Sequence, residues 1–238
     1  MQTNSKTKPA NVISTAINIL TSPSEAFVEL EQRPTKLFPI GLVIISTSLM
    51  LLWYFLTVDY DWFVDETLSQ ANISERQMED AREAMTSMSQ TTFTAYGVLG
   101  GSVWLIFLWA AQASYLSLAS ALNGDRFRFT NWFSLIVWTA LPYFLATIGS
   151  AVTILISPNG QLSSLDLNPL TLRNLGIQTN IDSLNSIFTR LDLTIIWGIF
   201  LTVMGYKNWL QSSWFKACTI VLAPYLLFLG VWAYFALI

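Results

Sequence analysis

The sequence predicts an all-α, polytopic membrane protein with five transmembrane helices. Four long stretches contain no Asp, Glu, Lys or Arg, at residues 37–58, 91–122, 129–156 and 217–238. A shorter uncharged stretch, 193–206, lies between the last two. A spanning helix needs roughly 20 apolar residues, because each unsatisfied backbone group in lipid costs several kcal/mol. Charged residues make up 11 % of the chain, against about 25 % in soluble domains.

The inventory of reactive side chains excludes several classes of function. The chain has no histidine and a single cysteine, Cys218, so neither a disulfide framework nor a Cys/His metal site is expected. The net charge of −3 is too small to indicate a nucleic-acid partner. No nucleophile, base and metal ligand come together at one predicted membrane depth. We therefore expect a protein that is not an enzyme and that carries no cofactor and no metal.

Residues 1–36 are predicted to form a cytoplasmic tail with two short helices that lie on the membrane surface, between residues 11 and 33. Ser22 is expected to cap the second helix, with Pro23 in its first position and Glu25 completing a capping box. A loosely ordered tail is the alternative. Residues 37–238 would form the membrane domain. The residues that share the apolar face of the first helix at helical spacing are Ile13, Ala16, Ile17 and Leu20.

The predicted spans determine the orientation of the chain. They lie at about 37–58, 91–122, 132–156, 187–206 and 216–238. The Lys and Arg residues outside the spans are distributed unevenly, with eight on one side of the membrane and four on the other. The eight are Lys6, Lys8, Arg33, Lys36, Arg126, Arg128, Lys207 and Lys216, and the four are Arg76, Arg82, Arg173 and Arg190. The positive-inside rule places the amino terminus in the cytoplasm and the carboxyl terminus outside.

Aromatic residues near the ends of the spans predict two interfacial belts, because amphipathic rings prefer the headgroup level. One belt would contain Trp53, Tyr54, Tyr60 and Trp62, and the other Trp132, Trp209 and Trp214.

The two outer loops are predicted to contain helices of their own. In the first loop, 59–90, Ser74 and Gln77 form a capping box, and Met78, Ala81, Met85 and Met88 recur near helical spacing. This stripe is expected to be a packing face, and an adaptable binding surface is the alternative. The acidic residues of the first loop would attract divalent cations, although their spacing is not diagnostic of a metal site. In the second loop, the leucine-rich stretch 170–177 after Asn168-Pro169 predicts another surface helix.

Two segments of the chain repeat one pattern. Trp132-Phe133 is followed by Pro142-Tyr143, and Trp214-Phe215 is followed by Pro224-Tyr225 at the same spacing. Spans two and three would then correspond to spans four and five as a repeated hairpin. The alternative is that interfacial rings and helix-kinking prolines occur twice without duplication.

The beginning of the predicted fourth span contains the charged residues Arg190 and Asp192. If that span begins near residue 187, both lie at the outer interface. One interpretation is a gate for an ion or a substrate. The other is an ordinary helix start, where Asp192 is favourable near the positive end of the helix dipole.

Three segments of the chain resemble the Yip-domain family in its prokaryotic form. They are Thr21-Ser22-Pro23-Ser24-Glu25-Ala26-Phe27 with Pro34 and Pro39, Gly124-Asp125-Arg126-Phe127 with Phe133 and Pro142-Tyr143, and Asp192 to Trp197 with Gly205, Lys216 and Pro224. The resemblance implies a five-span protein with a cytoplasmic amino terminus, in a bacterial inner membrane. Eukaryotic relatives interact with Ypt/Rab GTPases in vesicle traffic, a role that is not carried over. The family offers no settled catalytic or binding residue.

These observations favour a membrane scaffold, adaptor or organiser that acts through helix–helix association. Its expected partners are the lipid bilayer and other membrane proteins, including further copies of the chain. The alternative is a small transporter or channel with a pathway between the two hairpins. The candidate functional or structural residues are Asp192, Arg190, Pro142, Pro224, Asp125 and Arg126.

Overall fold

The computed structural model describes residues 11–71, 73–125, 127–157 and 159–237, and these ranges are almost entirely helical. The helices are α1 Val12–Thr21, α2 Pro23–Gln32, α3 Leu37–Thr57, α4 Tyr60–Ser69, α5 Glu75–Ser87, α6 Gln90–Ala121, α7 Phe129–Thr139, α8 Tyr143–Ile156, α9 Asp182–Phe188, α10 Leu193–Leu210 and α11 Trp214–Leu237. Apart from an isolated β-bridge between Thr171 and Asp192, the described ranges contain no extended pairing. The predicted all-α class is confirmed.

Among the described residues, four helical segments are long and apolar enough to cross a membrane. They are α3, α6, the combined segment Phe129–Ile156 that contains α7 and α8, and Trp214–Trp232 within α11. The protein is therefore a polytopic membrane protein. The fourth predicted span was placed too early, because α9 ends at Phe188 and α10 begins only at Leu193. With 18 residues, α10 is close to the lower limit of roughly 17 for a spanning helix.

The described chain divides into two compact units. The first unit comprises the described residues of Met1–Gly41, Leu108–Pro142 and Ile195–Ile238, and the second those of Leu42–Phe107 and Tyr143–Thr194.

In the first unit, the helical hairpin of α1 and α2 packs against α7. Phe27 and Leu30 of α2 are buried, whereas Ile13 and Ile17 of α1 are exposed. The two predicted helices therefore form, and the apolar face predicted for α1 points away from the protein. Ser22 is the N-cap residue of α2, but its side chain makes no capping hydrogen bond. The capping box predicted there is absent, and Pro23 in the first turn is the remaining start signal.

The centre of the first unit is α7, which contacts α10 closely. Gly205 lies against Leu135, whose Cδ1 would stand 2.5 Å from a Cβ added at that glycine. The hydroxyls of Thr139 and Thr202 are hydrogen-bonded at 2.8 Å. Small residues permit such close contact between helices, and the hydroxyl pair satisfies two polar groups where no water is present.

The second unit is built around aromatic rings from α3, α4 and the start of α6. Phe63 contacts Tyr54, Phe55, Tyr60 and Phe93, with ring centroids 5.7 to 6.3 Å away. The Tyr60 hydroxyl donates to the carbonyl of Met85 at 2.9 Å, which ties α5 to this cluster. Burial raises the pKa of Tyr60, and the nearby charge of Asp61 adds to the rise, so the hydroxyl stays protonated as a donor.

The predicted start of α5 is confirmed, because Gln77 Oε1 accepts from the backbone N–H of Ser74 at 3.0 Å and from its hydroxyl at 2.8 Å. Of the predicted methionine face, Met85 packs against the aromatic cluster.

The prediction of a surface helix after Asn168-Pro169 is wrong. Residues 168–177 form successive turns. The Asn174 side-chain amide donates to the carbonyls of Leu165 and Asn168 at 3.0 and 2.9 Å, and Asn168 Oδ1 accepts the N–H of Leu170 at 3.0 Å. Side-chain amides that bond to local backbone groups compete with helix formation, and here they replace it.

The contact between α7 and α10 gives a direct test of this packing. A Cβ at Gly198 would lie 2.8 Å from the carbonyl oxygen of Thr139, so Gly198→Ala should destabilise the protein by about 1–3 kcal/mol. Gly230, which has no atom within 4 Å of the same position, provides the matched control. Thermal unfolding in detergent should show a lower midpoint for Gly198→Ala and no decrease for Gly230→Ala. Equal midpoints for the two variants would contradict the packing described.

Candidate functional site

A polar cleft of about 340 Å³ opens in the first unit. Its lining comes from three segments that are distant in the sequence, namely the end of α2, the turn between α6 and α7, and the end of α10. The lining residues are Glu31, Gly124, Asp125, Phe127, Trp209, Leu210 and Gln211.

The local backbone explains why the two later segments turn at the cleft. Gly124 has φ of 72°, a left-handed conformation that glycine adopts at little cost. Asp125 follows, and its Oδ1 accepts the backbone N–H of Phe127 at 2.7 Å, which closes an Asx turn. Gln211 ends α10 with a φ of 48°. Its side-chain amide donates to the carbonyl of Asn208 at 2.7 Å, so the last turn of α10 is closed by a side chain.

Four rings form an aromatic cluster, consisting of Phe127, Trp132, Tyr206 and Trp209, and two of them, Phe127 and Trp209, also line the cleft. Phe127 and Trp209 stack with centroids 5.1 Å apart and an interplanar angle of 20°. Trp132 contacts Trp209 at 5.4 Å and stacks on Tyr206 at 5.5 Å. The cluster therefore fixes the turn that holds Asp125 against α7 and α10.

The indole groups of this region donate to backbone and hydroxyl acceptors inside the protein. Trp209 Nε1 donates to the carbonyl of Phe27 at 2.9 Å, and Trp132 Nε1 to the hydroxyl of Ser120 at 2.9 Å. The carbonyl of Thr35 receives two bonds, from the Ser134 hydroxyl at 2.5 Å and from Trp138 Nε1 at 2.9 Å. These bonds hold α2 and the segment before α3 on the rest of the first unit.

The predicted belt that contains Trp132, Trp209 and Trp214 is therefore wrong for two of its three members. Trp132 is 0 % exposed and Trp209 is 5 % exposed, whereas Trp214 is 50 % exposed. The spacing of aromatic residues along the chain does not distinguish a ring facing the headgroups from a ring that is buried with its N–H bonded.

Three buried polar atoms of the first unit have no hydrogen-bond partner among the described residues. They are Asp125 Oδ2, the Tyr206 hydroxyl and the Ser212 hydroxyl. A buried polar group without a partner costs about 1–3 kcal/mol, and such groups in native proteins commonly mark a position that a water or a ligand occupies.

The structure separates the six candidate residues predicted from the sequence. Asp125 lines the cleft, and Arg126 lies outside the described residues. Pro142 ends the α7 segment in the first unit, and Pro224 lies inside the continuous helix α11. Arg190 and Asp192 lie in the second unit. None of the cavities described here is lined by either proline.

Asp192 has the contacts of a helix cap. It is 2 % exposed, and its Oδ1 accepts from the backbone N–H and the hydroxyl of Thr194 at 2.8 and 2.6 Å. Its Oδ2 accepts from the side-chain amide of Asn168 at 2.9 Å. Arg190, by contrast, is exposed. The carboxylate therefore joins the turns that begin at Asn168 to the first residues of α10, and the positive end of that helix favours its charge.

The two prolines of the predicted repeat behave differently. The chain breaks between Thr139 and Tyr143, so Pro142 separates two helices, whereas α11 continues through Pro224. The repeated Trp-Phe pairs also differ, because Trp132 is buried and Trp214 is half exposed. The repeat in the sequence therefore does not extend to the local structure at these positions.

The cleft residues Glu31, Trp209 and Gln211 were not predicted as site residues. The sequence predicts that Glu31 belongs to a surface helix and that Trp209 belongs to an interfacial aromatic belt. The available signal was the pairing of an acidic residue in the short turn, Asp125, with an aromatic residue two positions later, Phe127.

The helical composition and the apolar segments define this protein as an integral, multi-pass membrane protein. Within the described ranges, no group of three or more His, Cys, Asp or Glu side chains is arranged to hold a metal ion. The chain belongs to the Yip1 domain family, whose model matches residues 17–235. No curated protein and no solved structure matches the chain.

The bond from Trp209 to the carbonyl of Phe27 should hold the amino-terminal helices in place. Trp209→Phe keeps a ring in the cluster but removes the donor of this bond, and the net loss of one hydrogen bond costs about 0.5–1.5 kcal/mol. We expect endoproteinase Glu-C to cleave the detergent-solubilised variant after Glu29, within α2, roughly fivefold faster than the parent, because α2 opens more often. Trp214→Phe is the control, since Trp214 is half exposed. Identical cleavage rates in the two variants would show that the indole bond does not hold α2.

Proposed function

We propose that this protein is a non-enzymatic scaffold or adaptor of the inner membrane that acts through helix–helix association. The observation that carries this proposal is the exposed face of α6. That helix has 32 residues, and only 11 % of its most apolar window is buried inside the chain. Leu99, Val103 and Phe107 are between 57 and 67 % exposed along one side of it.

The glycines of α6 support an interface on this face. Gly97 and Gly101 lie beside Phe55 and Leu51 of α3, so they serve packing inside the chain. Gly100, between them, has no atom within 4 Å of the position that a Cβ would take. In membranes, helices associate by close packing at small residues rather than by burial from water. Gly100 therefore offers a second helix a site of close approach, with Leu99 and Val103 beside it.

The fixed amino-terminal hairpin supports an adaptor role. Because α2 and the segment before α3 are held by buried donors, the hairpin presents a defined surface. The positive-inside rule places this surface in the cytoplasm, together with the turn that contains Asp125. An adaptor of this kind would bring a cytoplasmic partner to a membrane complex.

The transporter alternative gains no specific support. A pathway between the hairpins requires a polar cavity near Pro142 and Pro224, and the cavities described lie elsewhere in the two units. We therefore propose a single function.

Association through α6 is testable with a matched pair of glycine variants. Gly100→Ile fills the open site and should lower the crosslinked fraction about tenfold in native membranes, equivalent to about 1.4 kcal/mol of association free energy. Gly230→Ile on α11, which is equally open, should leave the fraction unchanged. The measurement is chemical crosslinking followed by mass spectrometry of the adducts. Only monomers in the parent protein, with no partner adduct, would overturn the proposal.

The proposed orientation is tested by reporter fusions. With five spans, a phosphatase fused after residue 238 should be active outside the cytoplasm, whereas one inserted in the turn at 122–128 should be inactive. A green fluorescent protein at the same two positions should give the reverse pattern. Phosphatase activity absent at the carboxyl terminus, with fluorescence present there, would show that the chain crosses the membrane an even number of times and that α10 does not span.

A further inference from the structure

The helix α1 has two apolar sides, and only one of them is used inside the protein. Thr15 and Ile19 are buried in the hairpin with α2. On the other side, Ile13 and Ile17 are 60 and 55 % exposed and Leu20 is 39 % exposed. These three residues recur at helical spacing and therefore form one continuous face. An exposed apolar face of this kind marks an interaction surface.

The contacts of the hairpin place it beside a segment that crosses the membrane. The carbonyl of Thr35, between α2 and α3, accepts hydrogen bonds from Ser134 and Trp138 of α7. Those donors lie five and nine residues after the beginning of the spanning segment Phe129–Ile156. At about 1.5 Å per residue, they are about 8 and 14 Å along that segment. The spanning helix α3 then begins at Leu37.

The length of the spanning segment converts these positions into a depth. Its 28 residues extend about 42 Å, against roughly 30 Å for the hydrocarbon core of a bilayer. If the excess is shared between the two ends, about 6 Å of each end lies among the headgroups. The bonds to Thr35 are therefore made at the boundary of the core, and the hairpin that they hold lies at the level of the headgroups.

The polar side of α1 excludes attraction by charge. The helix contains no charged residue, and Ser14, Asn18 and Thr21 form its polar side. The hairpin and the segment before α3, residues 11–36, have more acidic than basic side chains, namely Glu25, Glu29 and Glu31 against Arg33 and Lys36. Interfacial helices that bind anionic lipids carry Lys and Arg on the polar face. Insertion of α1 would therefore depend on its apolar area and on the space between the headgroups.

We propose that α1 lies in the interface of the bilayer, where it inserts Ile13, Ile17 and Leu20 between the headgroups and responds to lipid packing, not to lipid charge. The helix α2 does not insert, because its apolar residues Phe27 and Leu30 are buried in the protein. Binding of the bilayer by α1 is independent of the association through α6, so either proposal can fail without the other.

Single spin labels on the two sides of α1 test the proposal. Cys218→Ser removes the one native cysteine, and Ile17→Cys or Ser14→Cys then carries a nitroxide on the apolar or the polar side, at positions that are both exposed. The full-length protein is placed in phosphatidylcholine nanodiscs, and collisions of the label with oxygen and with a water-soluble nickel chelate are measured. We expect the ratio of oxygen to nickel collisions to be about tenfold higher at residue 17 than at residue 14.

The composition of the nanodisc tests what controls the insertion. Replacing palmitoyl-oleoyl by dioleoyl chains loosens the packing and should raise the ratio at residue 17 about twofold. Replacing part of the phosphatidylcholine by anionic phosphatidylglycerol should leave it unchanged. A ratio that rises with phosphatidylglycerol and not with chain unsaturation would overturn the proposal. Thermal unfolding midpoints within about 2 °C of the parent establish that each labelled variant is folded.

The same labels distinguish the bilayer from other occupants of the face. Equal nickel collisions at residues 14 and 17 would show that the apolar side is in water and would overturn the proposal. Few collisions with either reagent at residue 17 would show that protein covers the face, which would also overturn it. Dipolar broadening between labels would then identify the covering protein as a second copy of the chain.

Discussion

A buried indole N–H must find an acceptor, and this requirement organises the first unit. An unpaired polar group in an apolar interior costs a few kcal/mol, which is a large part of the stability of a domain. Trp132, Trp138 and Trp209 meet the requirement with acceptors on other segments of the chain, at Ser120, Thr35 and Phe27. Each ring thereby joins two segments that are distant in sequence. Rings of this size also bury a large apolar area, so the same residues supply both the packing and the specificity.

The position of α7 follows from those contacts. It carries Trp132, Ser134 and Trp138, and its glycine neighbours on α10 allow the two helices to approach closely. The amino-terminal hairpin then covers its other side, so α7 is buried by protein and not by lipid. A helix that is apolar on every face can occupy either environment, and the acceptors around its indoles decide between them.

The sequence predicts the long apolar helices α3, α6 and α11 well and the cleft poorly, for physical reasons. Uninterrupted apolar runs of sufficient length have few alternatives in lipid, so α3, α6 and α11 begin and end within a few residues of their predicted bounds. Hydropathy does not distinguish a ring that faces lipid from a ring that faces protein, which is why the belt was wrong at Trp132 and Trp209. The cleft brings together Glu31, Asp125 and Gln211, which lie in three segments that are distant in the sequence. A local sequence pattern cannot predict that such segments come into contact. The turns after Asn168 were missed because their side-chain amides replace the backbone bonds of a helix.

The helices of this protein differ in length, and the bilayer must accommodate the difference. At a rise of about 1.5 Å per residue, the 21 residues of α3 extend about 32 Å, close to the roughly 30 Å of an average hydrocarbon core. The 32 residues of α6 extend about 48 Å and must tilt or emerge from it. The 18 residues of α10 extend only about 27 Å. A bilayer around helices of such unequal length must adjust to them by tilt or by a local change of thickness, at a cost of a fraction of a kcal/mol per Å of mismatch.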